Sequence, residues 1–235
     1  EDHPWVSVKK ALMKFVSKDL FFEDIKVTQE QIEDIALQTK EQRDSALWSE
    51  MRFGRLTASN FGLVISAIKR NKYPPSLFST LLGKVTLDRV TSVQWGVNHE
   101  ATAISEFESQ QDVTVVKTGI WLHSSGVIGA SPDGLVGNDA VVEIKCPFKH
   151  RNSLLSEVLA DKNYCFQNNE LKTDHPYYHQ VQGQMSILNR NKCYFVVWTT
   201  KGVMTLEVER DFEWEENITN LIEFYKNNLL DKLLS

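Results

Sequence analysis

Apolar positions in the first part of the chain recur every three or four places, the spacing of one buried helix face. That spacing predicts a helix from Trp5 to Leu20 and another through Ile32, Ile35 and Leu37, with Thr28 as its cap. A third helix is predicted over 41–52. A fourth begins at Thr57 or Ser59 and runs through Phe61, Val64, Ile65 and Ile68. Tyr73-Pro74-Pro75-Ser76 ends it, because proline fixes its own φ and restricts the residue before it.

From about Gly96 the pattern changes. A helix over 97–110 is followed by strand candidates at 113–122, 127–130 and 140–146. A polar, helical stretch leads to a helix over 177–188. Two strands follow, 192–199 and 203–209, joined by the turn Thr200-Lys201-Gly202. A helix over 214–234 comes last. Helices covering a central sheet predict an α/β or α+β single domain with a helical N-terminal region. There is no internal repeat, low-complexity tract or Gly/Ser linker.

Composition narrows this little. The 235 residues, 42% hydrophobic and 24% charged, are those of an ordinary globular protein of one large or two small domains. No apolar run approaches the roughly 20 residues that span a bilayer, so no membrane partner is expected. Three cysteines without metal-ligand spacing argue against zinc and for a reducing, intracellular compartment, with cytoplasm and nucleus both open. The start, Glu1-Asp2-His3-Pro4, carries no signal pattern and suggests a domain taken from a longer chain. A net charge of −5 does not advertise nucleic-acid binding. Acidic metal ligands also lower net charge, however, and Lys145, Lys149, His150 and Arg151 gather basic groups locally.

The densest chemistry lies in SPDGLVGNDAVVEIKCPF, residues 131–148. Side chains alternate along a strand, so Glu143 and Lys145 share one face of AVVEIKC with Val141. The turn-forming Pro132-Asp133-Gly134 and Gly137-Asn138-Asp139 allow Asp133 to return beside Glu143. Two carboxylates and an ammonium so placed suit Mg²⁺-assisted phosphodiester cleavage; a salt-bridged surface strand is the plainer alternative. Glu100 shares a helix face with Ala103, Ile104 and Phe107, either as a further acidic ligand or at the rim of the stripe. On the 177–188 helix, Gln180, Gln182 and Gln184 either orient a water or phosphate oxygen or lie on the surface. Arg52 and Arg55 flank hydroxyls, including Ser59, at a predicted helix start, which makes either a phosphate pocket or an ordinary cap. His179 is assigned to structure or to support behind the ligands. No HExxH, GxSxG, Walker or dinucleotide fingerprint occurs.

SPDGL…EIKCPF, preceded by RFGRLTAS and WGVNHE and followed by HQVQGQM, resembles the lambda-exonuclease-like, YqaJ-type viral recombinase nucleases of the PD-(D/E)xK superfamily. The resemblance runs from about Trp48 to the C-terminus. It implies a helical extension, 1–47, packed on a nuclease domain, 48–235. That domain is expected to hold a PD-(D/E)xK restriction-endonuclease-like core, a central mixed β-sheet flanked by helices. It further implies that Asp133, Glu143 and the Ile144 carbonyl bind Mg²⁺, with Mn²⁺ as substitute and one or two ions per site. Lys145 would hold or activate the attacking water, and Glu100 would complete the acidic cluster. Gln180 would be the helix glutamine beside the site, with Gln182 and Gln184 as alternatives. Arg52 and Ser59 would grip a terminal 5′-phosphate, while Arg55 is a further candidate without a clear family counterpart. A divalent ion suits such a site because it offsets phosphate charge and lowers the pKa of water.

The function implied is a Mg²⁺-dependent 5′→3′ exonuclease on linear double-stranded DNA with a 5′-phosphorylated end, leaving 3′ single strands for recombination or repair. A homotrimeric ring and a single-strand annealing protein as partner are further implications. The alternatives are an endonuclease of a mobile element and a non-catalytic DNA-binding module.

Overall fold

The structure, a computed structural model, describes residues 4–85 and 90–235. Local capping decides where its first helices begin. The helix expected over 5–20 is two helices, α1 (Val8–Met13) and α2 (Lys18–Ile25), because Ser7 and Ser17 each cap a fresh N-terminus, accepting from Lys10 N and Leu20 N. Thr28 does cap α3 (Gln29–Gln38), reciprocally with Gln31. The helix expected over 41–52 shortens to α4 (Ala46–Arg52), since Gln42 takes a left-handed φ of 46° and Ser45 caps anew.

Thr57 is not a helix start: it lies in strand β1 (Leu56–Thr57). A 3₁₀ turn at Ala58–Asn60 precedes α5 (Phe61–Arg70). The break foreseen at Pro74-Pro75 is there. Asn71 ends α5 in a left-handed conformation, and Pro75 opens α6 (Pro75–Leu81) at the position where its missing N–H costs nothing. The long helix α7 (Thr91–Gln111) follows.

Two sheets of three or more strands are present among the described residues. One has the order β1-β3-β2, with β2 (Trp121–Leu122) and β3 (Ile128–Ala130). The other has the order β4-β5-β8-β9, formed by β4 (Gly134–Val136), β5 (Ala140–Lys145), β8 (Lys192–Thr199) and β9 (Gly202–Glu209). β5 and β8 are parallel, and the other pairs of this sheet are antiparallel, so it is mixed. Of the strand expected over 113–122, only β2 and one bridge, Val116 to Leu135, pair. The polar stretch after β5 holds α8 (Leu155–Ala160) and the hairpin β6 (Phe166–Gln167) and β7 (Glu170–Leu171). α9 (Pro176–Leu188) then leads to β8. The last expected helix is α10 (Glu216–Phe224) and α11 (Leu230–Leu234), with a π turn at Tyr225–Leu229 between them.

Strand alternation divides the mixed sheet between two helices. Val142 and Ile144 pack with Ala103 and Phe107 of α7. Val141 packs on the other face with Val181 and Met185 of α9. Each such fully buried apolar side chain contributes about 1.5–3 kcal/mol. Glu143 and Lys145 follow Val141 by two and four places, so they too face α9. The helices before Trp48 pack into a further core, with Val8, Phe21 and Ile25 in the cluster that holds α5 and the C-terminal helices.

Candidate active site

Residues 131–133 link β3 to β4, and the end of β4 is offset. The register would set Asp133 opposite Glu143, yet Asp133 N donates to Val142 O at 2.9 Å. That bulge-like shift turns the Asp133 carboxylate onto β5, where Oδ2 accepts from Ile144 N at 2.6 Å. The N–H and C=O of one strand residue point to the same side, so the Ile144 carbonyl also faces Asp133.

On the α9 face, Glu143 is buried. Its Oε1 accepts from Lys145 Nζ at 3.0 Å and from Gln180 Nε2 at 3.2 Å, and its Oε2 accepts from Gln184 Nε2 at 2.8 Å. Lys145 Nζ also donates to Gln180 Oε1 at 3.0 Å and lies 4.1 Å from the Tyr177 ring centroid. Tyr177, Gln180 and Gln184 fall at helical spacing on α9, which is why one helix supplies all three. The buried Gln184 Oε1 has no protein partner.

The charges are crowded. Burial, then the neighbouring Glu143 and Glu100, raise the Asp133 carboxyl well above its usual range, while the Ile144 N–H pulls the other way. Burial alone would lower the Lys145 ammonium; Glu143, Tyr177 and Asp133 outweigh it and leave its pKa raised. The Cys146 thiol is pushed up to about 12 by burial and by Glu100 and Asp133. Glu100, on α7, is close enough to help raise the Asp133 carboxyl, and both line a cleft of about 400 Å³ with Trp48, Arg43 and Lys117.

Carboxylates crowded around Asp133, beside a backbone carbonyl, are the donor set a hard divalent cation takes. Among the described residues no three acidic, His or Cys side chains converge to ring an ion by themselves. Glu143 is turned to Lys145 and the glutamines. The fit therefore rests on Asp133, Glu143 and the Ile144 carbonyl, with Glu100 across the cleft and water filling the remainder.

Residues 47–200, which contain Glu100, Asp133, Glu143, Lys145 and the α9 glutamines, match the YqaJ-like viral recombinase domain. The chain belongs to this family. A curated relative, the alkaline nuclease of Orgyia pseudotsugata multicapsid polyhedrosis virus, is 26% identical over 201 residues, 74% of this chain and 45% of the relative. The chain thus spans under half the length of that protein. Among solved structures, the alkaline exonuclease of Laribacter hongkongensis is 24% identical with a TM-score of 0.60, covering 79% of this chain and 95% of that one. A SOX–DNA complex aligns with a TM-score of 0.58 at 11% identity, over 97% of this chain and 78% of that one. These likenesses show the fold, and with the family match they bear out the expected α/β architecture of the YqaJ-type, PD-(D/E)xK class.

The remaining YqaJ candidates divide. The Arg52 guanidinium lies 4.2 Å from the centroid of the Trp48 ring, which lines the cleft. Ser59 is exposed in the 3₁₀ turn beyond β1, two residues after Thr57, which pairs with Gly129 of β3. Arg55 is placed elsewhere, and this is a correction. It is buried and donates to Gly126 O, Met51 O and Val6 O at 2.7, 2.8 and 3.1 Å, so it binds the chain to itself and cannot face a phosphate.

Gln182 is likewise turned away from the acidic centre, donating to Glu209 O at 2.9 Å and accepting from Asp211 N at 2.8 Å. His179 is buried and accepts from Trp214 Nε1 at 2.9 Å, a packing role away from the carboxylates. The basic run after the site is also tied down. Lys149 and His150 both meet Asp161 at 2.8 Å, and Arg151 lies over Phe148.

Two contributors had no sequence signal of their own. Tyr177 stands in the apolar stripe of its helix, where nothing marks its ring as a platform for Lys145. Trp48 Nε1 donates to Ser131 Oγ at 3.0 Å across 83 positions, a contact that no local spacing reveals.

Proposed function

We propose that this YqaJ-family chain is a divalent-metal-dependent deoxyribonuclease that degrades linear duplex DNA 5′→3′ from a 5′-phosphorylated end, leaving 3′ single strands for recombination or repair. The observation that carries it is the meeting of Asp133, at the bulged end of β4, with Glu143 and Lys145 on β5. Glu100 comes from α7 and Gln180 and Gln184 from α9. Asp133, Glu143 and the Ile144 carbonyl would hold Mg²⁺, or Mn²⁺ in its place, with Glu100 available to a second ion. Bound there, the ion supplies positive charge against the scissile phosphate and a lowered pKa for water.

The chain's own groups do the rest. Lys145, held as an ammonium by Glu143 and steadied over Tyr177, presents a positive charge to the charge developing on the phosphate. Gln180 fixes its direction by bonding both Lys145 and Glu143. Gln184 holds the far oxygen of Glu143 and keeps that carboxylate from rotating. Arg52, with Ser59, is the grip for the terminal phosphate, a planar cation suited to forked phosphate contacts. The relatives named for alkaline nuclease and exonuclease activity, and a neighbour crystallised with DNA, support nucleic acid as the substrate.

An end-labelled linear duplex incubated with Mg²⁺ tests this directly. Stepwise loss from a 5′-phosphorylated end is expected, slower from a 5′-hydroxyl end, with no nicking of a covalently closed circle. Equal rates at the two ends would remove the phosphate grip, and cutting of the circle would make the enzyme an endonuclease. Three copies in a ring around the duplex would make the degradation processive. Sedimentation of the intact protein distinguishes that trimer from a monomer, and co-sedimentation with a single-strand annealing protein tests the expected partnership.

A further inference from the structure

Gln42 lies outside residues 47–200, the span that matches the family, yet it reaches the centre of the site. Its φ of 46° is left-handed, uncommon for a residue that is not Gly, Asn or Asp. Such a conformation persists where its surroundings over-determine it. The turn is closed by Gln42 N donating to Thr39 O at 2.9 Å and by Ser45 N donating to Gln42 O at 2.8 Å. From it the side-chain amide donates twice, to Thr118 O at 2.7 Å and to Pro132 O at 2.8 Å, across 76 and 90 positions of the chain.

Pro132 immediately precedes Asp133. The carbonyl that Gln42 holds therefore belongs to the peptide whose N–H bonds Val142 O, in the residue whose carboxylate bonds Ile144 N. Trp48 holds Ser131 from the same side. The loop 131–133 is thus clamped between a turn before the family region and the end of β5.

We propose that Gln42 is a positioning residue for the metal centre, fixing the Pro132 carbonyl so that the Asp133 carboxylate stands at its place beside Ile144. This rests on reading Asp133 as a metal-binding carboxylate. Gln42 touches neither metal nor DNA in this scheme. A displacement of the order of 1 Å in a reacting group costs about 10²-fold in rate, so the loss should fall on the chemical step and on metal affinity, with substrate binding unchanged.

Three variants separate the contributions. Gln42→Gly keeps the left-handed backbone without strain and removes both donors. Gln42→Glu keeps the shape and removes both donors, and it still reports should Gln42→Gly fail to fold. Gln42→Lys keeps a donor. The measurements are kcat and KM on linear duplex in Mg²⁺, the dissociation constant for Mn²⁺ alone by electron paramagnetic resonance without DNA, and the melting temperature.

Gln42→Gly and Gln42→Glu are expected to lower kcat at least tenfold and weaken Mn²⁺ at least fivefold, with KM within twofold. Gln42→Lys should recover most of both. Wild-type kcat and Mn²⁺ affinity in Gln42→Gly or Gln42→Glu would overturn the inference while leaving the nuclease reading intact. So would a loss confined to melting temperature. A wild-type protein that neither binds Mn²⁺ nor cuts duplex with any divalent ion would overturn the nuclease reading, and the Gln42 inference with it.

Discussion

Arg52 and Arg55 stand three residues apart, carry the same charge and lie in opposite environments. Arg55 gives its donors to three main-chain carbonyls inside the protein, whereas Arg52 lies over Trp48 at the cleft. Hydrogen bonds from a buried charged group are worth about 1.5–3 kcal/mol each, and losing the donor also leaves its acceptors unpaired. Arg55→Ala is therefore expected to cost about 3 kcal/mol or more in urea denaturation. Arg52→Ala should stay within about 1 kcal/mol of wild type in that assay and lose the advantage of a 5′-phosphate over a 5′-hydroxyl end. A stable Arg55→Ala, or an Arg52→Ala that still prefers phosphate, would show the two roles to be misassigned. Local spacing nominated both arginines and could not separate them, because the separating carbonyls of Val6 and Gly126 are distant in the chain; only the family resemblance set Arg52 apart. Glu143 and Lys145 were legible as neighbours because alternation along a single strand is a local property, and Asp133 because turn residues on either side of β4 let it return beside them. Spacing made the glutamines legible only as a group, and the family resemblance put Gln180 first. Their division into Gln180 and Gln184 at the site, and Gln182 away from it, follows from how α9 is rotated against the sheet. Gln182→Ala should accordingly lower stability by about 1–2 kcal/mol, through the lost bonds to Glu209 and Asp211, and leave kcat per folded molecule unchanged.

At the scale of elements, what the chain shows in advance depends on whether a boundary has a local cause. The hairpin β8–β9, the capping box of Thr28 and the break at Pro74-Pro75 all have one, and each is found where the residues put it. The segment 113–122 does not. Its β-branched residues suit a strand, yet its middle, residues 117–120, is tied to the end of α3 and the turn after it. Gly119 N donates to Ala36 O at 3.0 Å, and Thr39 Oγ1 accepts from Ile120 N at 3.0 Å. Main-chain groups bonded to a helix end are not free to join a ladder. Gly119 is also packed so closely on Thr39 that an added Cβ would meet both its hydroxyl and its main chain. Gly119→Ala is expected to destabilise by about 1–3 kcal/mol, the usual range for overpacking, measured by urea denaturation. A neutral outcome would mean that the segment shifts freely against α3. It would also weaken the view that the turn after α3 is a fixed support for residues 118–133.

Across the whole molecule, the two helices that sandwich the sheet supply opposite sides of one centre. α7 brings Glu100 to Asp133, and α9 brings Tyr177, Gln180 and Gln184 to Glu143 and Lys145. The arrangement concentrates negative charge at the place where, on the proposed function, a phosphodiester would sit, in a chain whose net charge is already −5. Without a divalent ion, those carboxylates repel the backbone. Two unit charges a few ångströms apart near a protein surface interact with about 4 kcal/mol before salt screening, and screening leaves a fraction of that. Removing one carboxylate charge should therefore tighten DNA binding in EDTA even as it abolishes cutting in Mg²⁺. Asp133→Asn is expected to bind linear duplex about three- to tenfold more tightly than wild type in EDTA, a difference of about 0.7–1.4 kcal/mol. Fluorescence anisotropy at alkaline pH is the measurement, because raising the pH favours the ionised form of a carboxyl whose pKa is raised. The difference should shrink when salt is raised. It should shrink as well in Ca²⁺, whose charge takes over the role of the substitution. Equal affinities in EDTA at low salt would mean that the DNA backbone does not approach Asp133 before the ion binds.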